Sequence, residues 1–201
     1  MTNTEIGIKL QELARLWLVN IEEVKSMGSF FTIDNINDNF QRKIMVRNFF
    51  AVVEGYLYVT RELIKLILIK NKNINYGITF HEMIALNGKA VSLDKTGQAI
   101  GKDTFYPFEA NLPFTLNCFA KILETPKPDY SDNGYAKLIR MSKRRNDITH
   151  PKSAGLQIIT DNEIKDILLG LGWFIRTHGQ TATKINFNEL FLQTPPPPTN
   201  S

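Results

Sequence analysis

Apolar residues recur at three- and four-residue intervals along most of the chain, the period of a helix that buries one face. Leu10, Leu13, Ala14, Trp17, Ile21 and Val24 form the first stripe, and Glu12, Arg15, Glu22, Glu23 and Lys25 take the remaining surface. This predicts a helix over 5–27, with Gly28 as its stop. A second stripe, Met45, Phe49, Val52, Tyr56, Leu63 and Ile67, predicts a helix over 38–70, long enough to be the spine of a bundle. Between 77 and 107 the period changes. A short helix over 80–86 leads into two short extended stretches, 90–94 and 99–106, separated by the turn-forming Lys95-Thr96-Gly97-Gln98, which is the spacing of a small β-hairpin.

Helical spacing returns over 108–124, where Pro113 is compatible only with the first turns and Thr125-Pro126-Lys127-Pro128 ends the element. Ser131-Asp132 caps the next helix, which carries Tyr135, Leu138, Ile139 and Met141. Pro151 disfavours helical geometry at the residue before it, so His150 falls at or just beyond the helix end. Thr160 or Asp161 caps a last helix through Ile164, Ile167, Leu168, Leu171 and Phe174 that should end before Gly179. The prediction is an all-α fold: a bundle of about five helices in one domain over 1–180, with a β-hairpin insertion at about 89–106. A C-terminal extension follows over 181–201, its proline run 195–198 extended or disordered.

Composition narrows the chemistry. A chain of 201 residues that is 43% hydrophobic can bury a substantial core without metal or disulfide help. The single cysteine, Cys118, excludes an intrachain disulfide. With only three scattered histidines beside it, it makes no recognisable zinc site, so no metal and no cofactor are expected. Residues 1–5 lack the basic segment and apolar run of a signal peptide, and Glu54, Arg61, Glu62 and Lys65 interrupt the apolar stretch over 49–69. A cytoplasmic protein without a membrane span is expected. The net charge of +4 suits an anionic partner without demanding one.

Candidate chemistry concentrates in Arg144-Arg145-Asn146-Asp147-Ile148-Thr149-His150-Pro151, at the end of a helix rich in Lys137, Arg140, Lys143, Arg144 and Arg145. Arginine offers a fixed fork of donors to a phosphate, and histidine moves a proton near neutral pH. His150 is the candidate acid or base, Arg145 the stabiliser of charge developing on phosphate oxygens, and Asn146 a supporting donor four residues from His150. Lys143, Arg144, Lys152 and Arg140 are candidate RNA-backbone contacts, with a solvated basic face as the plain alternative. Glu54 either holds Arg145 or Lys143 as a supporting partner or lies on a solvated stripe with Arg47 and Arg61. His81 and His178 lack an arginine at the same spacing, and Trp17, Tyr56 and Trp173 follow core spacing.

Arg145 followed by four residues and His150, with a polar residue directly after the arginine, resembles the motif of the HEPN superfamily, the higher eukaryotes and prokaryotes nucleotide-binding domains. The resemblance spans roughly 1–180. It implies a metal-independent endoribonuclease acting by 2′-hydroxyl attack, a homodimer with both motifs facing one cleft, and a role as a toxin or in phage defence, often beside an antitoxin protein. The alternative is a non-catalytic helical module that binds RNA, a nucleotide or a protein through the same basic surface.

Overall fold

The computed structural model describes residues 2–30, 38–151, 153 and 158–182. Among them are six helices and one antiparallel hairpin: α1 (Asn3–Phe30), α2 (Asn39–Lys70), α3 (Phe80–Leu86), β1 (Lys89–Leu93), β2 (Ala99–Asp103), α4 (Phe108–Ile122), α5 (Asn133–Thr149) and α6 (Asp161–Ala182). The fold is the mostly α-helical bundle with a small hairpin that the periodicity predicts.

α2 is the spine. Asp38 starts it, its carboxylate accepting from the amides of Phe40 and Gln41. Thirteen of its residues are buried, and they face α1 on one side and α4 and α5 on the others. Trp17 of α1 reaches the α2 stripe at Tyr56, ring centroids 5.7 Å apart, and Phe119 of α4 at 6.1 Å. Tyr56 in turn meets Phe174 of α6 edge-on. All four rings are buried, so the helices share one aromatic centre rather than separate cores.

The hairpin stands outside this core. Lys89 pairs with Asp103 and Leu93 with Ala99, and every residue of β2 is exposed. Asp94 builds the turn: its Oδ1 accepts from the Thr96 and Gln98 amides, while Gly97 takes φ +80°. Pro113 lies in the second turn of α4, where its missing N–H removes one helical hydrogen bond, and its carbonyl accepts from the Tyr130 hydroxyl.

Both boundaries that the sequence reading sets at a glycine differ in the structure. α1 continues through Gly28 to Phe30, and α6 through Gly179 to Ala182. Glycine ends a helix only when it takes left-handed geometry, and both of these stay helical. Residues 183–201, which include the proline run, lie outside the described residues.

α5 and α6 form the tightest pair. A side-chain carbon on Gly134 would sit 2.6 Å from Trp173 Cβ and 2.7 Å from the Leu169 carbonyl oxygen, and one on Gly170 would sit 3.1 Å from Leu138. The two glycines let the backbones approach. Because one clash at Gly134 is with backbone, no rotamer change relieves it. Gly134→Ala is expected to destabilise the protein by about 1 to 3 kcal/mol, measured as a shift of the urea midpoint, whereas Gly7→Ala, where nothing lies within 4 Å of the added carbon, should not destabilise it.

Candidate functional site

α5 is capped by Asp132, whose carboxylate accepts from the Gly134 amide at 2.6 Å. Leu138, Met141 and Ile148 bury its apolar face. At its far end the His150 amide donates to the Asn146 carbonyl at 2.8 Å, and the Thr149 hydroxyl donates to the Arg145 carbonyl at 2.9 Å. His150 is the C-cap, with φ −126° and ψ 69°, outside helical geometry as its proline neighbour requires. Asn146 and His150 are both exposed.

The consecutive arginines point to different neighbours. Arg145 donates from Nη1 to Glu54 Oε1 at 2.9 Å, and its guanidinium carbon lies 5.3 Å from the centre of the Phe50 ring. Its side chain is only 20% exposed, and Nε is buried without a hydrogen-bond partner among the described residues. Glu54 therefore touches Arg145 while its side chain remains 43% exposed, so partner and partly solvated residue describe one position. Arg144 turns to α6, donating from Nε to Glu163 Oε1 at 2.5 Å and from Nη2 to the Ile158 carbonyl.

The basic residues of α5 do not form one open track. Lys137 and Arg140 both meet Asp166 of α6, a carboxylate only 8% exposed. Arg144 is an interhelical tie. Lys143 is exposed and has no ion pair among the described residues, while Lys152 lies outside them. Acids on α6 at 163 and 166, three residues apart and therefore on one face, were the available signal that α5 faces an acidic partner.

Sequence reasoning also left Arg47 with the solvated stripe. The structure places it on the α2 face that carries Phe50 and Glu54, and its Nη2 donates to the Ile148 carbonyl at 3.1 Å, two residues before His150. The end of α5 thus rests on α2 at Arg47, Phe50 and Glu54. Further along α2, Arg42 donates to the Ile159 carbonyl and Asp161 and Asn39 accepts from the Ile159 amide, fixing the start of α6 beside the same helix.

Other chemistry is scarce. Cys118 is buried, and desolvation, aided by the negative charge of Glu82, pushes its thiol up to about 12, so it is no thiolate nucleophile. Among the described residues no group of three or more His, Cys, Asp or Glu side chains is placed to hold a metal ion, and no helix is long and apolar enough to cross a membrane. No family model, curated protein or solved structure matches the chain.

Glu163 gives the site a pH signature. Burial raises its pKa, but the Thr160 amide and hydroxyl and the Arg144 guanidinium outweigh that and hold the carboxyl below its ordinary value. A lowered native pKa stabilises the fold above the unfolded-state value of about 4.3, and that contribution disappears as pH falls through the native value. Glu163→Gln is expected to cost about 1 to 3 kcal/mol at pH 7, and the difference from wild type should shrink as pH falls below about 4.3 when unfolding is followed across pH. A constant difference down to pH 3 would show that the charge of Glu163 is not what ties α6 to Arg144.

Proposed function

We propose that the protein is a metal-independent endoribonuclease of the HEPN type. The observation that carries this reading is the end of α5, where Glu54 and Phe50 hold Arg145 while Asn146 directly after it and His150 just over one turn on are exposed. A guanidinium already oriented by a carboxylate and a ring loses little freedom when it meets a phosphate.

In this reading an RNA 2′-hydroxyl loses its proton to the His150 imidazole, and its oxygen forms a bond to the adjacent phosphorus. The bond from phosphorus to the 5′ oxygen breaks, and that oxygen takes a proton from an imidazolium. The products are a 2′,3′-cyclic phosphate and a 5′-hydroxyl. Arg145 faces the charge that grows on the phosphate oxygens, with Asn146 as a further donor and Lys143 as an exposed contact to the RNA backbone. The biological setting proposed with it is a cytoplasmic homodimer acting as a toxin or in phage defence, with an antitoxin protein as a candidate partner.

One observation favours a second reading. Arg145 already has a carboxylate partner, which is what a purely structural tie also has, and a non-catalytic module binding RNA, a nucleotide or a protein through Lys143 and its surroundings would use the same helix end.

Cleavage of a mixed RNA pool in the presence of chelator separates the two. Wild type is expected to cut and leave cyclic phosphate ends, His150→Ala to lose about 10² to 10⁴-fold in rate, and Arg145→Ala about 10² to 10³-fold, with RNA binding by His150→Ala nearly unchanged. If wild type binds RNA but leaves it intact, the binding module replaces the ribonuclease. If cutting occurs only after a divalent ion is restored, the metal-free mechanism is wrong.

A further inference from the structure

Phe105, just after the hairpin, is the most exposed large apolar residue among those described, at 91%. A side chain that open contributes nothing to the core. Its backbone, by contrast, is held on both sides. The Thr104 amide donates to the Gly88 carbonyl at 2.9 Å, and the Tyr106 hydroxyl donates to the Lys89 carbonyl at 3.2 Å while its ring tilts against Phe114. Pro107 favours extended geometry at Tyr106. Alternate side chains of an extended chain point to opposite sides, so with Thr104 and Tyr106 half-buried Phe105 turns out. A ring presented on a fixed backbone loses little freedom when a ligand stacks on it.

The ring also stands beside the motif. Phe108, three residues on and therefore within about 10 Å along the chain, packs edge-on against Phe50 with centroids 5.1 Å apart. Phe50 is the ring against which the Arg145 guanidinium rests. A second tie agrees with the first. Arg61 donates to the Ala85 and Leu86 carbonyls at the foot of the hairpin. It follows Glu54, the partner of Arg145, by seven residues, which places it about 10 Å further along nearly the same side of α2. The foot of the hairpin and the end of α5 thus share one side of the spine.

We propose that Phe105 is a stacking platform for an unpaired base of a single-stranded RNA whose phosphate lies at Arg145. The inference deepens the proposed function by naming its substrate class, and it rests on that reading for the RNA. Every base has a π-face, so one exposed ring holds an unpaired nucleotide without reading its sequence. Inside a duplex both faces of a base are already stacked, and the platform therefore selects single strands and loops. A base lifted from the helical stack also frees its ribose to bring the 2′-hydroxyl into line with the phosphorus. Lys95 and Lys102, exposed on the same hairpin and without an ion pair among the described residues, supply cations for the backbone around that base. Phe80 is nearly as open at 75%, but Glu82 ties its helix to Lys121 in the last turn of α4, the end remote from Phe108.

Binding of a labelled single-stranded RNA of about 12 nucleotides with 2′-O-methyl riboses tests the platform, because such an RNA has no 2′-hydroxyl to attack and stays whole. Phe105→Ala is expected to weaken its binding by about 5- to 150-fold and to bind the duplex of the same sequence as wild type does. Phe80→Ala should bind the single strand like wild type. Phe105→Trp should keep the affinity, and its fluorescence should be quenched as RNA is added, since Trp17 and Trp173 are buried. Phe105→Leu keeps an apolar side chain but has no π-face, and should bind as weakly as Phe105→Ala. Circular dichroism should be the same for all of them, because the side chain is exposed. A wild type that does not bind the single strand, a Phe105→Ala variant that binds it equally well, or a Phe105→Leu variant that matches wild type overturns the platform. Cleavage of the unmodified RNA keeps the two ideas apart. RNA that binds with the expected quenching but is never cut sinks the ribonuclease alone, and equal cutting by wild type and Phe105→Ala at limiting RNA sinks the platform alone.

Discussion

Two adjacent arginines pulling in different directions fix the end of α5. Consecutive residues on a helix point about 100° apart, so Arg144 reaches Glu163 and Ile158 on one side while Arg145 reaches Glu54 and Phe50 on the other. A helix terminus ordinarily frays because its last carbonyls lack partners. Here the Ile148 carbonyl is taken by Arg47 and the Asn146 carbonyl by the His150 amide. The exposed groups of the motif are therefore carried on a backbone anchored by two other helices, and anchoring of this kind is what a preorganised site needs.

The architecture was largely written in the periodicity because the signals for it are local. The Asp132 cap, the turn at Gly97 and the buried stripe from Met45 to Ile67 each depend on neighbours within a few residues, and each lies where the pattern places it. Gly28 and Gly179 misled because glycine permits a helix end without enforcing one, and both helices run on past them. The same limit explains the basic residues of α5. Sequence shows that Lys137, Arg140 and Arg144 share a helix, but not that the acids of α6 arrive opposite them. What reads as a surface for RNA is in good part an interhelical seam.

Glu54 illustrates how much a single sequence leaves open. Its position in an apolar run suits either a partner for Arg145 or a place on the solvent stripe, and the structure makes it both. Arg47 was harder to find, because its contact is with a backbone carbonyl, which no residue pattern advertises.

The electrostatics of Arg145 sharpen what the helix end can do. A guanidinium has five N–H donors. Nη1 is engaged with Glu54, and Nε is buried without a partner beside the Phe50 ring, so the edge bearing Nη2 is the one to which an anion has access. A phosphate there would share the cation with a carboxylate that is itself partly solvated, and a shared cation binds the ground state weakly. Such an arrangement favours charge that increases during the reaction over charge already present, because the extra attraction appears only as the phosphate oxygens become more negative. That selectivity depends on excluding water from Asn146 and His150, which stand exposed in a single copy. If the protein is the proposed ribonuclease, the walls of its site would come from the RNA, from a second chain, or from both.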